Sequence, residues 1–86
     1  MQAGQRDWQA IESVEDECGT HCVDVFQRVD GSFGFEAFRR DPEDQGRWTM
    51  LGHYAAARFV SIEAARTAAA HAVPWSHGKY RQGRLP

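Results

Sequence analysis

The chain lacks any apolar run near the ~18 residues a bilayer-crossing helix requires, and its start is acidic and apolar-poor. Neither a membrane span nor a secretory leader is expected. Cysteine is scarce: Cys18 and Cys22 are the two present. Without an export signal they predict a reducing, cytoplasmic setting and no disulfide framework. Lysine and arginine number 10 against 12 acids, giving a formal net charge of -2. The cation surplus that generic polyanion binding needs is therefore missing. At 86 residues the chain has room for one domain, and no internal repeat of useful length divides it.

What is present is ordinary soluble composition, 42% hydrophobic, 26% charged and 12% aromatic. Charge is unevenly spread. Residues 1–21 set Arg6 against Asp7, Glu12, Glu15, Asp16 and Glu17, residues 22–73 are close to balanced, and Lys79, Arg81 and Arg84 have no acid near them. The expected organisation is an acidic segment at 1–21, a β-β-β-α domain at 22–74 and a basic flexible tail at 75–86.

The β-β-β-α expectation comes from residue patterns. Residues 22–28 are β-rich and end at the turn signal Asp30-Gly31, after which residues 32–40 read as the second strand of a hairpin. Pro42 cannot donate to a ladder and Gly46 tolerates positive φ, so residues 41–46 read as a turn. Residues 47–54 read as a third strand. Ser61 is placed to cap an alanine-rich helix over residues 62–72, with Glu63 at the positive end of the helix dipole and Pro74 as a stop. Ile62, Ala65, Ala69, Ala72 and Val73 are expected to face the sheet, and Phe59 and Val60 to anchor the helix entry. The fold class is thus α+β, a three-stranded antiparallel meander packed against one C-terminal helix. In residues 7–17 the stripe Trp8, Ile11, Val14, Cys18 is compatible with a short N-terminal helix.

Alternation assigns side chains to the two sheet faces. Val23, Val25, Phe33, Phe35 and Ala37 should meet the helix. Asp24, Phe26, Arg28, Glu36, Phe38 and Arg40 should point the other way. The third strand adds either Trp48, Met50 and Tyr54 or Thr49, Leu51 and His53 to that second face, because the register is open. Aromatics among charges of both signs suit a recognition surface. The competing reading has the N-terminal segment covering Phe26 and Phe38.

Cys18, His21 and Cys22 offer three zinc-type ligands within five residues, without the paired knuckles of zinc modules. Nucleophilic catalysis by either thiol with His21 is disfavoured, since adjacent strand residues point to opposite faces and no oxyanion hole is visible. Gly31, Gly34 and Gly46 fit no phosphate-cradling loop.

Two family resemblances span residues 25–73. Asp30, Gly31, Phe33, Phe35 and Ser61-Ile-Glu-Ala-Ala65 resemble short bacterial β-β-β-α domains of unknown function. Arg28, the run Glu36 to Pro42, Arg47-Trp48, Leu51-Gly52 and the same helix opening resemble the DNA-binding domain of plant ethylene-responsive factors and related integrases. The second resemblance implies a sheet lying in the major groove, with Arg28, Arg40, Arg47 and Trp48 meeting bases and phosphates. The function expected is that of a small non-catalytic interaction or regulatory domain. It would bind a protein partner or its own copy through Asp24, Phe26, Arg28, Glu36, Phe38 and Arg40, with no cofactor and no membrane. Sheet-mediated nucleic-acid binding is the first alternative, and a zinc module at Cys18, His21 and Cys22 the second.

Overall fold

Two β-rich runs set the centre of the fold. In the computed structural model, which describes residues 8–41, 43 and 46–80, β2 (His21–Arg28) and β3 (Phe33–Arg40) pair antiparallel, with Val23 opposite Ala37 and Val25 opposite Phe35. Gly31 in the connecting turn has φ +91°, a left-handed value that costs glycine nothing. Ser32 donates its N–H to Asp30 Oδ1, which fixes the turn from within.

The segment ahead of β2 is a strand. β1 (Trp8–Glu15) pairs antiparallel with β2, so the sheet has four strands in the order β1-β2-β3-β4, not three, and the expected N-terminal helix is absent from residues 8–15. The cause is a β-bulge. Pairing passes from Ala10–Phe26 to Glu12–Val25, leaving Ile11 as one extra residue. Before the bulge Trp8 and Ala10 share the second face. After it Glu12 and Val14 lie on the helix side. This phase jump spaces the apolar residues like a helix. Asp7, the first residue of that expected helix, lies outside the described residues.

The last strand is shorter than the sequence suggests. β4 (Trp48–Met50) pairs Met50 with Phe38 and Trp48 with Arg40, which puts Trp48 and Met50 on the second face and settles the register. Beyond Leu51, whose N–H reaches Ala37 O, the chain leaves the ladder and returns only where Phe59 bridges Phe33. His53 and Tyr54 therefore lie in a loop. Tyr54 swings to the helix side and stacks on Phe35 at 5.0 Å.

α1 (Ile62–Ala72) starts at Ser61, whose hydroxyl accepts the Ala64 N–H. Ala65 and Ala69 are fully buried against Val23, Val25, Phe35 and Ala37, and their small side chains let the helix axis approach the sheet. Ala72 is exposed, contrary to expectation, because it sits at the last turn beyond the sheet. Arg66 Nε meets Glu12 Oε1 at 2.9 Å with both side chains largely buried, so an ion pair ties β1 to α1. The chain after the helix is packed as far as Tyr80. Pro74–Ser76 form a 3-10 turn, and buried Tyr80 donates to Ser76 Oγ, which donates to Val73 O. The expected flexible tail is thus anchored through residue 80; the remainder of that tail, and residues 42, 44 and 45 of the 41–46 turn, lie outside the described residues. No helix among the described residues is long and apolar enough to cross a membrane.

Candidate functional site

The second sheet face is where the sequence concentrates its candidate residues, and its aromatics are covered. Trp8 stacks on Phe26 with ring centroids 4.0 Å apart, and the Arg28 guanidinium lies over the same ring at 5.0 Å. Phe26 is 0% exposed, Phe38 5% and Glu36 0%. Three of the six residues expected to form an open interaction face are therefore out of reach of a partner. The physical reason is that β1, as a fourth strand, brings Trp8 over Phe26, while the loop at residues 53–55 closes over Glu36 and β4 pairs beside Phe38.

Glu36 has a structural task. Its Oε1 accepts the N–H groups of Tyr54 and Ala55 at 3.0 and 2.8 Å, and its Oε2 accepts those of His53 and Ala37 at 3.2 and 2.9 Å. The loop that leaves the ladder after Leu51 loses its strand partner, and one carboxylate supplies the missing acceptors. Arg28 completes the arrangement from β2. Its Nη1 donates to Ser32 Oγ and Phe33 O, each at 3.3 Å, and its Nη2 donates to Ala55 O and to Ala57 O. Gly34 makes room for this crossing. A Cβ there would sit 2.8 Å from Phe26 Cε1 and Cζ and 3.1 Å from Arg28 Nη1.

The other candidates are likewise engaged. Arg40 donates to Gly19 O through Nε and Nη2 at 3.2 and 2.7 Å and stacks on Trp48 at 4.4 Å. Asp24 accepts the Ser13 hydroxyl. Arg47 is exposed at the start of β4. Of the residues carried over from the DNA-binding resemblance, Arg28 and Arg40 spend their donors on backbone carbonyls of this domain, and the Trp48 ring carries the Arg40 guanidinium.

The residues of the zinc alternative are not brought together as a ligand set. Cys18 is exposed in the β1–β2 turn, while Cys22 is buried on the second face, and among the described residues no group of three His, Cys, Asp or Glu could hold a metal. Burial, with Asp24 and Glu15 nearby, pushes the Cys22 thiol up to about 12 against the weaker pull of Arg40, so it stays protonated and inert. His21 Nδ1 lies 3.1 Å from Asp16 Oδ2 and 3.0 Å from Thr20 Oγ1. Both contacts use the same ring nitrogen, so the imidazole cannot relay a proton from the hydroxyl to the carboxylate. The cluster instead holds the turn. Asp16 Oδ1 also accepts the Thr20 and His21 N–H groups. Asp16 Oδ2 accepts the Thr20 hydroxyl as well, at 3.2 Å. Burial raises the Asp16 carboxyl, but its four bonds from Thr20 and His21 outweigh it and hold it down to about 2.

A second group of residues, which sequence reading did not single out, lies at the end of the sheet formed by the β2–β3 turn. The Phe33–Phe59 bridge sets Val60 beside Ser32, and the bond from Arg28 N–H to Ser32 O sets Val29 on the other side. Val29 and Val60 are 87% and 94% exposed; Val60 therefore does not anchor the helix entry, which Phe59 does alone. Between them Arg58 Nη1 meets Asp30 Oδ2 and Ser32 Oγ. The Asp30 carboxyl is held below the usual carboxylate range by the Ser32 hydroxyl and amide, which outweigh the opposing effect of burial, with lesser pulls from Arg58 and Arg28. The signal in the sequence was the unpaired aliphatics Val29 and Val60 next to turn and cap residues. No family model, curated protein or solved structure matches the chain.

Proposed function

We propose that the chain is a small non-catalytic interaction or regulatory domain that docks a protein partner at the end of the sheet bearing the β2–β3 turn. The observation that carries this reading is the pair of exposed valines at this end, Val29 lining a concavity with Arg28, Asp30 and Arg58, and Val60 set beside Ser32 by the Phe33–Phe59 bridge. Single exposed aliphatics are commonplace. Two beside a pair of guanidinium groups combine an apolar contact with charges that select a partner, the composition favoured at recognition patches. The sheet face is the poorer surface, since its aromatics are spent on Trp8 and on the loop latch. Two free cysteines, one exposed, suit a reducing cytoplasm.

The test places a photocrosslinking phenylalanine analogue at position 60 in one variant and at position 24 in another, in living cells. A discrete adduct from position 60 and none from position 24 is expected. An adduct at twice the chain mass from position 60 identifies the partner as a second copy. Adducts from position 24 alone, or from neither, overturn the reading.

A further inference from the structure

We infer that the β2–β3 end of the sheet is a seat for an oxyanion of the phosphate class, held by Arg58 and Ser32 in the field of Arg28. The inference rests on the proposed docking end and names the chemistry it recognises. A concavity of about 200 Å³ opens there, lined by Arg28, Val29, Asp30 and Arg58. Two guanidinium groups converge on one neutral atom: Arg28 Nη1 is 3.3 Å and Arg58 Nη1 3.0 Å from Ser32 Oγ. Like charges brought this close repel. The lining holds one carboxylate, Asp30, which serves Arg58. Arg28 is fastened by neutral acceptors, the Ser32 hydroxyl and three backbone carbonyls. Its charge is thus fixed in place; Asp30 acts on it through space and not through a bond, and two guanidinium groups stand against one carboxylate in the lining.

The donors for a ligand come from Arg58 and Ser32. Arg58 is more than half exposed, and its Nε and Nη2 have no partner among the described residues. The Ser32 hydroxyl can rotate from Asp30 Oδ1, 2.7 Å away, toward a ligand oxygen. Asp30 is the resident competitor: its carboxylate holds the donors that a tetrahedral oxyanion would take, as a charge-assisted fork. Val29, which lines the concavity, would contact an apolar group esterified to that anion.

The test is titration of the intact protein with inorganic phosphate, followed by amide and arginine side-chain NMR shifts, with chloride at matched ionic strength as the control. Phosphate is expected to shift Gly31, Ser32 and the Arg58 side chain with a millimolar-range dissociation constant, and chloride is not. Asp30→Asn retains the side-chain oxygen that accepts the Ser32 N–H while removing the competing charge, and should tighten phosphate about 3- to 5-fold, the range of an exposed charge pair. Arg58→Gln should weaken it by at least that factor. Phenyl phosphate binding more tightly than the free ion identifies a monoester ligand, and equal affinity identifies the ion itself; both support the seat. Shifts no larger than those with chloride, or no tightening in Asp30→Asn with unchanged α1 resonances, overturn it. A position-60 crosslink with no phosphate binding removes the oxyanion seat and leaves the docking end standing.

Discussion

Replacing Glu36 by Gln removes one charge and almost no volume, and it isolates the latch that holds residues 53–55 to β3. The wild-type carboxylate is fully buried and accepts four N–H groups. A glutamine keeps one oxygen for two of them and must aim its NH2 at the other two, donor against donor. Hydrogen bonds to a charged group contribute ~1.5–3 kcal/mol each, neutral ones ~1, and a buried donor left without an acceptor costs ~1–3 kcal/mol. Part of that loss is relieved, because the loop can open to water. The net expectation is a loss of about 3 kcal/mol. A chain of this size has a total stability of roughly 4–13 kcal/mol at ~0.05–0.15 kcal/mol per residue, so the variant should still fold. Urea denaturation followed by tryptophan fluorescence measures the loss, and hydrogen exchange locates it. The Tyr54 and Ala55 amides should exchange much faster in the variant while the Val23 and Val25 amides slow or quicken only with global stability. A loss under about 1 kcal/mol, with Tyr54 and Ala55 still protected, would refute the reasoning, because bonds to this carboxylate would then not carry the energy of charge-assisted hydrogen bonds.

Three further predictions concern other parts of the same framework. Gly34→Ala puts a methyl 2.8 Å from a Phe26 ring that is itself clamped under Trp8; overpacking of this kind costs ~1–3 kcal/mol, readable as a lowered urea midpoint with unchanged slope. Asp16, with its carboxyl lowered to about 2 from an ordinary 3.8, stabilises the fold fully above pH 4 and loses that contribution as the pH falls from about 4 toward 2. Thermal melts of Asp16→Asn should accordingly show a smaller drop across that window than the wild type, and identical drops would rule the contribution out. Iodoacetamide at pH 8 should modify the native protein once, at exposed Cys18, and the denatured protein twice, because the Cys22 thiol is buried and raised to about 12; rapid modification at Cys22 in folded protein, followed by mass spectrometry, would contradict this.

The elements governed by one uninterrupted period were legible. The β2–β3 hairpin and α1 with its Ser61 cap follow from alternation, the Asp30-Gly31 turn and the alanine run, and the face of Val23, Val25, Phe35 and Ala37 meets the helix as alternation requires. β1 was not legible, because a single bulged residue at Ile11 converts a period of two into spacings of three. β4 was over-read, since nothing in residues 47–54 announces that a carboxylate from the neighbouring strand will replace the ladder after Leu51. The same blindness misplaced the site. Glu36 and Arg28 look like solvated charges on an outward face until the loop they fasten is known, and Val29, Arg58 and Val60, distant in sequence, meet only because Phe59 bridges Phe33.

The extra residue in β1 has a bearing beyond secondary structure. An eight-residue strand at the border of a sheet offers a row of backbone groups on which another chain could add, and chains that add in series build fibres. Ile11 breaks that row near its middle, twisting the border out of the flat geometry that growth by addition demands, and Glu15 brings a charge to its far half. Shortening the strand by that one residue would leave every other side chain on its present face while making the border continuous, so the kink makes this border a poorer template for addition.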